Sequence, residues 1–573
     1  MERKKFVRLV TAGSSAALSG IIPGFPPFFS KTSDISEHLN NNFSLSADLV
    51  IAGGGLGGCA AALAALRNNL RVILTEETDW LGGQLSQQGV PPDEHQWIET
   101  HGGTKLYREF RNKIREYYFR NYPLTETARA NKYLNPGDGS VSRLCHEPRV
   151  AAAVLNELMA QYISSGQLIL LTNCKAASAD TDRNKIRSLT VTNLLSGKNL
   201  MLDARWFIDA TETGDLLPLT GTEFVTGTES KKDTGELHAP EKANPENNQS
   251  FTVCFAMDYI EGEDHTIEKP REYDFWRNHI PPLTPPWSGK LLELRYSIPS
   301  TLVPKELGFH PYGADTSPLL NLWNYRRIIS KNNFIPGTYR SDITVVNWPQ
   351  NDYMLGNIIT GNQEDFNKHV GRAKQLSLSL LYWLQTEAPR PDKGYGWKGL
   401  RLRKDIMGTD DGLAKYPYIR ESRRIKPLFR ILEEHVGKEN RSMVTGIKEN
   451  IKSARFYDSV GTGYYHIDLH PSSGGDNYID FPSLPFQIPL GALIPQRVEN
   501  LIPANKNIGT THITNGCYRL HPVEWNIGES AGALIAFSSD RKVIPAAVRE
   551  NKKLLEEFQH MVRSQGIETD WPE

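Results

Sequence analysis

Cysteine is scarce, charge of one sign is missing, and no apolar run is long. Only five cysteines occur in 573 residues, Cys59, Cys145, Cys174, Cys254 and Cys517, and none forms a C-x-x-C pair. That spacing excludes a disulfide framework, a zinc ribbon and a dithiol redox centre, so any redox chemistry must use a bound cofactor. Lys plus Arg number 65 against 66 Asp plus Glu, a net charge of -1. No global field draws the chain to nucleic acid or acidic lipid, and a charged ligand must be recognised locally. No segment approaches the ~20 apolar residues that a bilayer span needs, so stable membrane insertion of the mature chain is not expected. What is present is ordinary globular composition, 39% hydrophobic, which rules out disorder, collagen and coiled coil. The length suits three or four domain-sized units, or fewer if one ligand-centred fold absorbs them.

The N-terminus reads as an address. Glu2-Arg3-Lys4-Lys5-Phe6-Val7-Arg8 is basic and leads into a short, weakly apolar stretch ending near Ile22, the shape of an export signal over residues 1–30. It is similar to a twin-arginine signal with Lys4 in place of the second arginine, which suggests export to a bacterial periplasm. A basic N-terminus without a targeting role is the alternative. Residues 31–46 are polar enough for a linker.

Ala47 to Ala52 is an apolar run, Gly53-Gly54-Gly55-Leu56-Gly57-Gly58 follows, and Cys59 to Leu66 is Ala-rich. Strand, glycine turn and helix therefore come in order. Gly53, Gly55 and Gly58 satisfy G-x-G-x-x-G: one glycine turns the chain, one lets backbone approach a pyrophosphate, and one packs helix on strand. The helix N-terminus then faces the phosphates. A second strand, Arg71 to Leu74, ends at Glu76, 23 residues after Gly53, where a carboxylate accepts ribose hydroxyls and repels a 2'-phosphate.

Beyond Glu76 and Glu77 the chain runs through Leu81-Gly82-Gly83-Gln84, and three later segments complete a pattern. These are Trp206 to Asp215, containing Asp209-Ala210-Thr211-Glu212-Thr213-Gly214-Asp215; Asn500 to Ala504 with Asn505; and Pro522 to Phe537 with Gly528. The set resembles FAD-dependent oxidoreductases of the glutathione-reductase-like superfamily with two dinucleotide-binding domains. Residues 82–97, Asn347 to Asp352 and Ile419 to Arg424 are similar to a bacterial branch whose substrates are mostly unassigned. The resemblance covers 47 to about 540 and implies FAD as cofactor. It places Gly53, Gly55, Leu56, Gly57, Gly58, Glu76 and Glu77 at the dinucleotide. Gly83, Gln84, Asp209, Ala210, Thr211 and Gly214 would follow its course, and Asn505, Pro522 and Gly528 the flavin end. Many relatives have Ala-Gly-Asp where this chain has Ala504-Asn505-Lys506-Asn507.

The implied fold class is α/β, a Rossmann-like FAD-binding domain with a three-layer sheet, interleaved with an inserted α+β substrate or cap domain. The FAD-binding domain would span 47–230 and return over 476–545, the cap 231–475, and a helical tail 546–573. Pro- and Trp-rich stretches such as Pro281 to Trp287 lead us to expect irregular walls in the cap. Gly394-Tyr395-Gly396-Trp397-Lys398-Gly399 also spells G-x-G-x-x-G, but it follows the polar run Arg390 to Lys393 and no Ala-rich stretch comes after it; NAD(P)H is therefore not expected as the regular partner, and substrate or an unknown external acceptor handles the electrons.

The expected function is hydride transfer between flavin N5 and a small polar substrate, more as dehydrogenase or oxidase than as reductase. The alternative is a structural FAD serving a lyase, isomerase or binding role. His512 and Arg519 lie between the last strand and the capping helix; His512 could be the base and Arg519 could hold a carboxylate or developing charge. His466, Asp468 and His470 alternate, so one strand face would carry all three, as a metal site or as a hydrogen-bonded strand. Arg420, Glu421, Arg423 and Arg424 read as a surface ion-pair cluster before an anion pocket. Asp93, Glu94 and His95 line an entrance or form a polar turn, and Cys517 is either a flavin attachment point or simply buried, as Cys59 is expected to be.

Overall fold

A computed structural model describes residues 44–312 and 318–572. The export-signal segment, and the linker up to 43, lie outside the described residues. The first strand, β1 (Ser44–Ala52), feeds through the glycine turn into α1 (Leu56–Arg67), and β2 (Val72–Glu76) returns parallel to β1 with Ile51 opposite Leu74. Helix α2 (Pro148–Ser164) leads to β3 (Leu168–Thr172), and β4 (Cys174–Asp182), β5 (Lys185–Asn193) and β6 (Asn199–Asp209) follow as a meander. The order is β3-β2-β1-β6-β5-β4. The free upper half of β6 accepts β7 (Leu501–Pro503) in parallel, with Pro503 opposite Asp209.

Alternation along β1 divides the core. Leu49 and Ile51 join α1 in one apolar cluster, while Val50 and Ala52 meet Ile73, Leu189 and Phe207 in another. Both faces are thus covered, as a continuous apolar strand requires. Helix α1 is buried from Leu56 to Leu66 because α3 (His521–Arg541) crosses it at van der Waals distance of the backbone. The crossing rests on paired small residues: a Cβ on Gly528 would stand 2.0 Å from the Gly57 carbonyl oxygen, and one on Gly532 would stand 2.2 Å from that of Ala61.

The middle of the chain is more regular than its Pro and Trp clusters suggest. An antiparallel sheet runs Arg327–Ile329, Ile343–Val346, Phe255–Tyr259, Leu400–Leu402. The 24-residue helix Gln363–Thr386, started by the Asn362 capping box, shares an apolar cluster with it through Leu376, Leu380 and Leu384. This region has its own apolar core, containing Trp276, Trp323, Trp348 and Trp397. Pro281 to Trp287 is itself irregular, as expected, and Trp287 joins the other tryptophans in this core. Among the described residues no helix is long and apolar enough to cross a membrane.

Candidate active site

The parallel strand ends converge where β1 becomes α1. Gly53 has φ +100°, and a Cβ there would meet the Ala210 carbonyl oxygen at 2.2 Å, so only glycine turns the chain beside β6. A Cβ on Gly58 would meet the Gly53 carbonyl oxygen at 1.9 Å, which makes it the packing glycine. Gly55 instead has a side chain, Glu212, as its nearest neighbour, which fits the glycine that leaves room for a ligand.

Glu76 ends β2 with its carboxylate under the turn. The Gly54 N–H donates to its Oε2 at 3.0 Å, and the Thr78 N–H donates to Oε1 at 2.8 Å. Burial, working against these bonds, pushes its carboxyl up to about 8. Glu77 faces Lys175 at 3.3 Å, and burial pushes it up to about 7 against the pull of that lysine. Gly53, Gly55, Glu76, Glu77, Ala210 and Thr211 share one cavity, and Gln87, Lys175 and Tyr416 also face it. Asp209 lies behind, where burial raises it to about 7 while it accepts from the Thr211 N–H and hydroxyl. Gly214 turns the chain at φ +69° against the Arg423 carbonyl.

Toward the other end, a buried cluster joins segments far apart in sequence. Lys506 donates to Glu212 and, at 3.4 Å, to Glu524, while Gln84 donates to Glu524 and to the Arg519 carbonyl. The Glu212 carboxylate lies across Gly55 and Gly83, 2.9 Å from where either Cβ would be. Asn507 donates to the Asp209 carbonyl at 3.0 Å and Asn505 to that of Ala210 at 3.4 Å. The Asn-Lys-Asn departure therefore ties β7 to the end of β6. Gln84 Oε1, Glu212 Oε1 and both amide atoms of Gln88 are buried without protein partners. A bare glycine cradle, a carboxylate at ribose position and orphaned polar atoms along one path fit FAD.

Gly57 and Gly528 do not face this cavity; they form the α1–α3 crossing. Pro522 stands in the first turn of α3, where its missing N–H costs nothing. Leu56 is buried in the first turn of α1. Cys59 donates to the Gly54 carbonyl at 3.2 Å, and Cys517 is packed in the core with its thiol pushed up by burial.

A second, polar cavity of about 180 Å³ is lined in part by the continuation of the segment that carries Tyr416. Tyr416 faces the dinucleotide cavity, whereas Tyr418 and Arg420, next on the same segment, face the polar one. Arg519 lines it, donating to Asp468 at 2.9 Å and to the Tyr418 hydroxyl at 3.1 Å. Asp468, in the strand Ile467–Leu469, and His466 and His470, which flank that strand, all line it, so the three share one face. They are held by protein partners: His466 Nδ1 meets Asp480 at 2.8 Å, and His470 Nδ1 meets Asp352 at 2.6 Å. Among the described residues no cluster suited to a metal ion occurs.

His512 lines neither cavity. Its Nδ1 lies 2.8 Å from Glu421, which also pairs with Arg424, and its N–H donates to Glu229 at 2.9 Å. The cluster expected on the surface is buried, with Arg420 2%, Glu421 1% and Arg424 0% exposed; carboxylates from Glu229 and Asp352 make that burial tolerable. Asp93 faces the polar cavity with Arg326 at 3.3 Å, while Glu94 turns to Arg111 and His95 to the Gly102 carbonyl. Arg326, Tyr418, Lys506 and Glu524 carried no local signal, since each acquires its role from a distant segment.

A model of the family described as FAD dependent oxidoreductase matches residues 48–562. No curated protein matches. Among solved structures, the chain is similar to L-proline dehydrogenase from P. horikoshii at 16% identity, over 33% of this chain and 25% of that one, with a TM-score of 0.18. It is also similar to glycerol-3-phosphate dehydrogenase from Bacillus halodurans complexed with FAD, at 14% identity over 39% and 42%, TM-score 0.23. OxyS anhydrotetracycline hydroxylase from Streptomyces rimosus shows 9% identity over 91% and 66%, TM-score 0.34. The chain thus spans less than half the length of the first two. The family match runs nearly the whole length of the described fold, and the chain belongs to the FAD dependent oxidoreductase family.

Proposed function

We propose that this chain oxidises a small polar substrate held in the polar cavity, by hydride transfer to N5 of FAD. The observation that carries this reading is one short segment, Tyr416 to Arg420, which gives Tyr416 to the dinucleotide cavity and Tyr418 and Arg420 to the polar one. Bound FAD supplies the two-electron acceptor. Glu76 would accept the ribose hydroxyls, the N-terminus of α1 would face the pyrophosphate, and Gln84, bonded to the Arg519 carbonyl, would link the cofactor to the polar cavity. Oxidation is favoured over reduction because the other G-x-G-x-x-G, Gly394 to Gly399, follows the helix Gln363–Thr386 and leads into the strand Leu400–Leu402, with no helix N-terminus behind it for a nicotinamide dinucleotide; electrons then enter with the substrate and leave to an external acceptor.

Hydride loss from a carbinol or amine carbon requires the attached O–H or N–H proton to leave. His466 suits that task better than His512, because it faces the cavity and its Nδ1 is already engaged by Asp480, which makes Nε2 the proton acceptor. Arg519, with Nε unpartnered, orients a substrate oxygen. His512 acts as a brace for Glu421 and so for the Arg420 segment.

The test is an anaerobic visible spectrum of the holoprotein before and after panels of sugars, amines, hydroxy acids and unsaturated acids. Bleaching by one class, lost in Arg519→Ala with FAD retained, supports the reading. A flavin inert to every class, and not reoxidised by any after dithionite, points to the structural-flavin alternative.

A further inference from the structure

We infer that the polar cavity is a site for a neutral cyclic polyol, one sugar ring, and not for a carboxylate or an amine; this rests on the cavity being the substrate site. Charge balance carries the first step. Each guanidinium in the wall already faces a carboxylate: Arg326 with Asp93, Arg420 with Asp352, Arg519 with Asp468. Asp480 adds a fourth acid, opposite His466, while His470 lies between Asp352 and Asp468. Three arginines against four aspartates leave no surplus positive charge, whether the histidines are neutral or protonated by one. A carboxylate ligand would approach an arginine only beside its resident aspartate, and like charges at that range repel strongly in a buried site. The one surplus acid, Asp480, is already engaged by His466, so an ammonium ligand finds no free carboxylate and stands beside three guanidinium groups.

Hydrogen-bonding capacity is nevertheless left over. Arg326 Nε, Arg420 Nε, Arg519 Nε, Asn347 Nδ2 and the Tyr478 hydroxyl are buried without partners, and all five belong to residues lining this cavity. A hydroxyl group accepts from such N–H donors and donates to the aspartate oxygens beside them, so it satisfies both members of an Arg–Asp pair without adding charge. Several hydroxyls in fixed relation do this at several pairs at once.

Shape supplies the last step. Tyr296, Tyr325, Trp348, Tyr418, Tyr465 and Tyr478 line the same space, offering apolar faces with polar tips. Such faces pack against the C–H side of a saturated ring while its hydroxyl edge reaches the charged pairs. The cavity of about 180 Å³ is roughly six times the ~30 Å³ share of one water, room for a single ring and not for a chain of them.

The experiment is titration calorimetry on the FAD-loaded protein, with anaerobic spectra taken on the same samples. Probes are glucose, galactose, mannose, xylose and myo-inositol, with glucuronate, galacturonate, lactate and glucosamine as charged counterparts. At least one neutral compound is expected to bind one per chain, with its charged counterpart at least about tenfold weaker. Tyr478→Phe, which removes a hydroxyl that has no partner in the fold, should weaken that binding about three- to tenfold. Tighter binding of a uronate, hydroxy acid or amine overturns the inference, as does absence of binding by every neutral ring. Sugar binding without bleaching upholds the inference and sinks the hydride-transfer reading; bleaching by lactate or an amine alone does the reverse.

Discussion

Replacing Gly528 by Ala tests how the cofactor helix is held. An added Cβ would stand 2.0 Å from the Gly57 carbonyl oxygen and 2.6 Å from its Cα and carbonyl carbon. Ordinary contact begins at 3.4 Å, so the nearest approach falls short by 1.4 Å. Every atom involved is backbone, so no rotamer change relieves the clash and α1 and α3 must part. Such overpacking costs about 1–3 kcal/mol, and alanine's better helix propensity returns about 1 kcal/mol. The remainder is about 0–2 kcal/mol, and because the crossing is fully buried and the contact is backbone to backbone we expect a net destabilisation near the top of it, about 2 kcal/mol. Gly371→Ala is the matched control: it lies in the helix Gln363–Thr386 and a Cβ there meets nothing within 4 Å. Propensity alone acts at that site, so this variant should gain up to about 1 kcal/mol. Thermal melts of both variants, with FAD affinity measured in parallel, should show Gly528→Ala melting lower and binding FAD more weakly, and Gly371→Ala melting at or above wild type. Equal shifts, or a Gly528→Ala protein as stable as wild type, would refute the packing argument.

Three further outcomes follow from the charged groups. Lys506→Met leaves the Glu212 and Glu524 carboxylates buried beside each other without their cation; fluorescence-monitored unfolding should show a loss of about 3–5 kcal/mol, with Arg in that position restoring part of it. Glu76→Gln keeps the side chain's size but replaces one carboxyl oxygen by an amide group that cannot accept from a ribose hydroxyl or the Gly54 or Thr78 N–H, and should weaken FAD about 10-fold by fluorescence titration; an unchanged Kd would remove Glu76 from the site. His466 is raised above its ordinary 6.5: burial lowers it, but Asp480 and Asp468 outweigh burial and nearby Arg519. Its imidazolium therefore persists above pH 6.5, and because the neutral form takes the proton, the rate of flavin reduction should climb as pH rises through that raised value. Stopped-flow profiles should show the climb in wild type and a flat response in His466→Gln.

What was legible in the sequence is what local chain geometry dictates. Gly53, Gly55 and Gly58 with Glu76 are separated by one strand–helix–strand unit, so spacing alone places them. Alternation put His466, Asp468 and His470 on one face for the same reason. The polar cavity was not legible, because Asp93, Arg326, Arg420, Asp468 and Arg519 come from five separate segments and meet only through the cap. The cap sheet escaped because its strands are three to five residues long and the tryptophans between them fill a core. Arg420 to Arg424 looked like a solvated run because charge density says nothing of Glu229 and Asp352, whose carboxylates permit its burial. Gly57 and Gly528 looked like cofactor glycines because helix-crossing glycines carry the same local pattern.

The most direct test of the account is the flavin itself. Protein purified under native conditions, or refolded and reconstituted with FAD, should release FAD and not FMN on heat denaturation, at one per chain, and Gly55→Val should abolish that binding while Gly371→Ala preserves it. Failure of the reconstituted wild-type chain to bind FAD, or binding undisturbed by Gly55→Val, would contradict the site at its foundation.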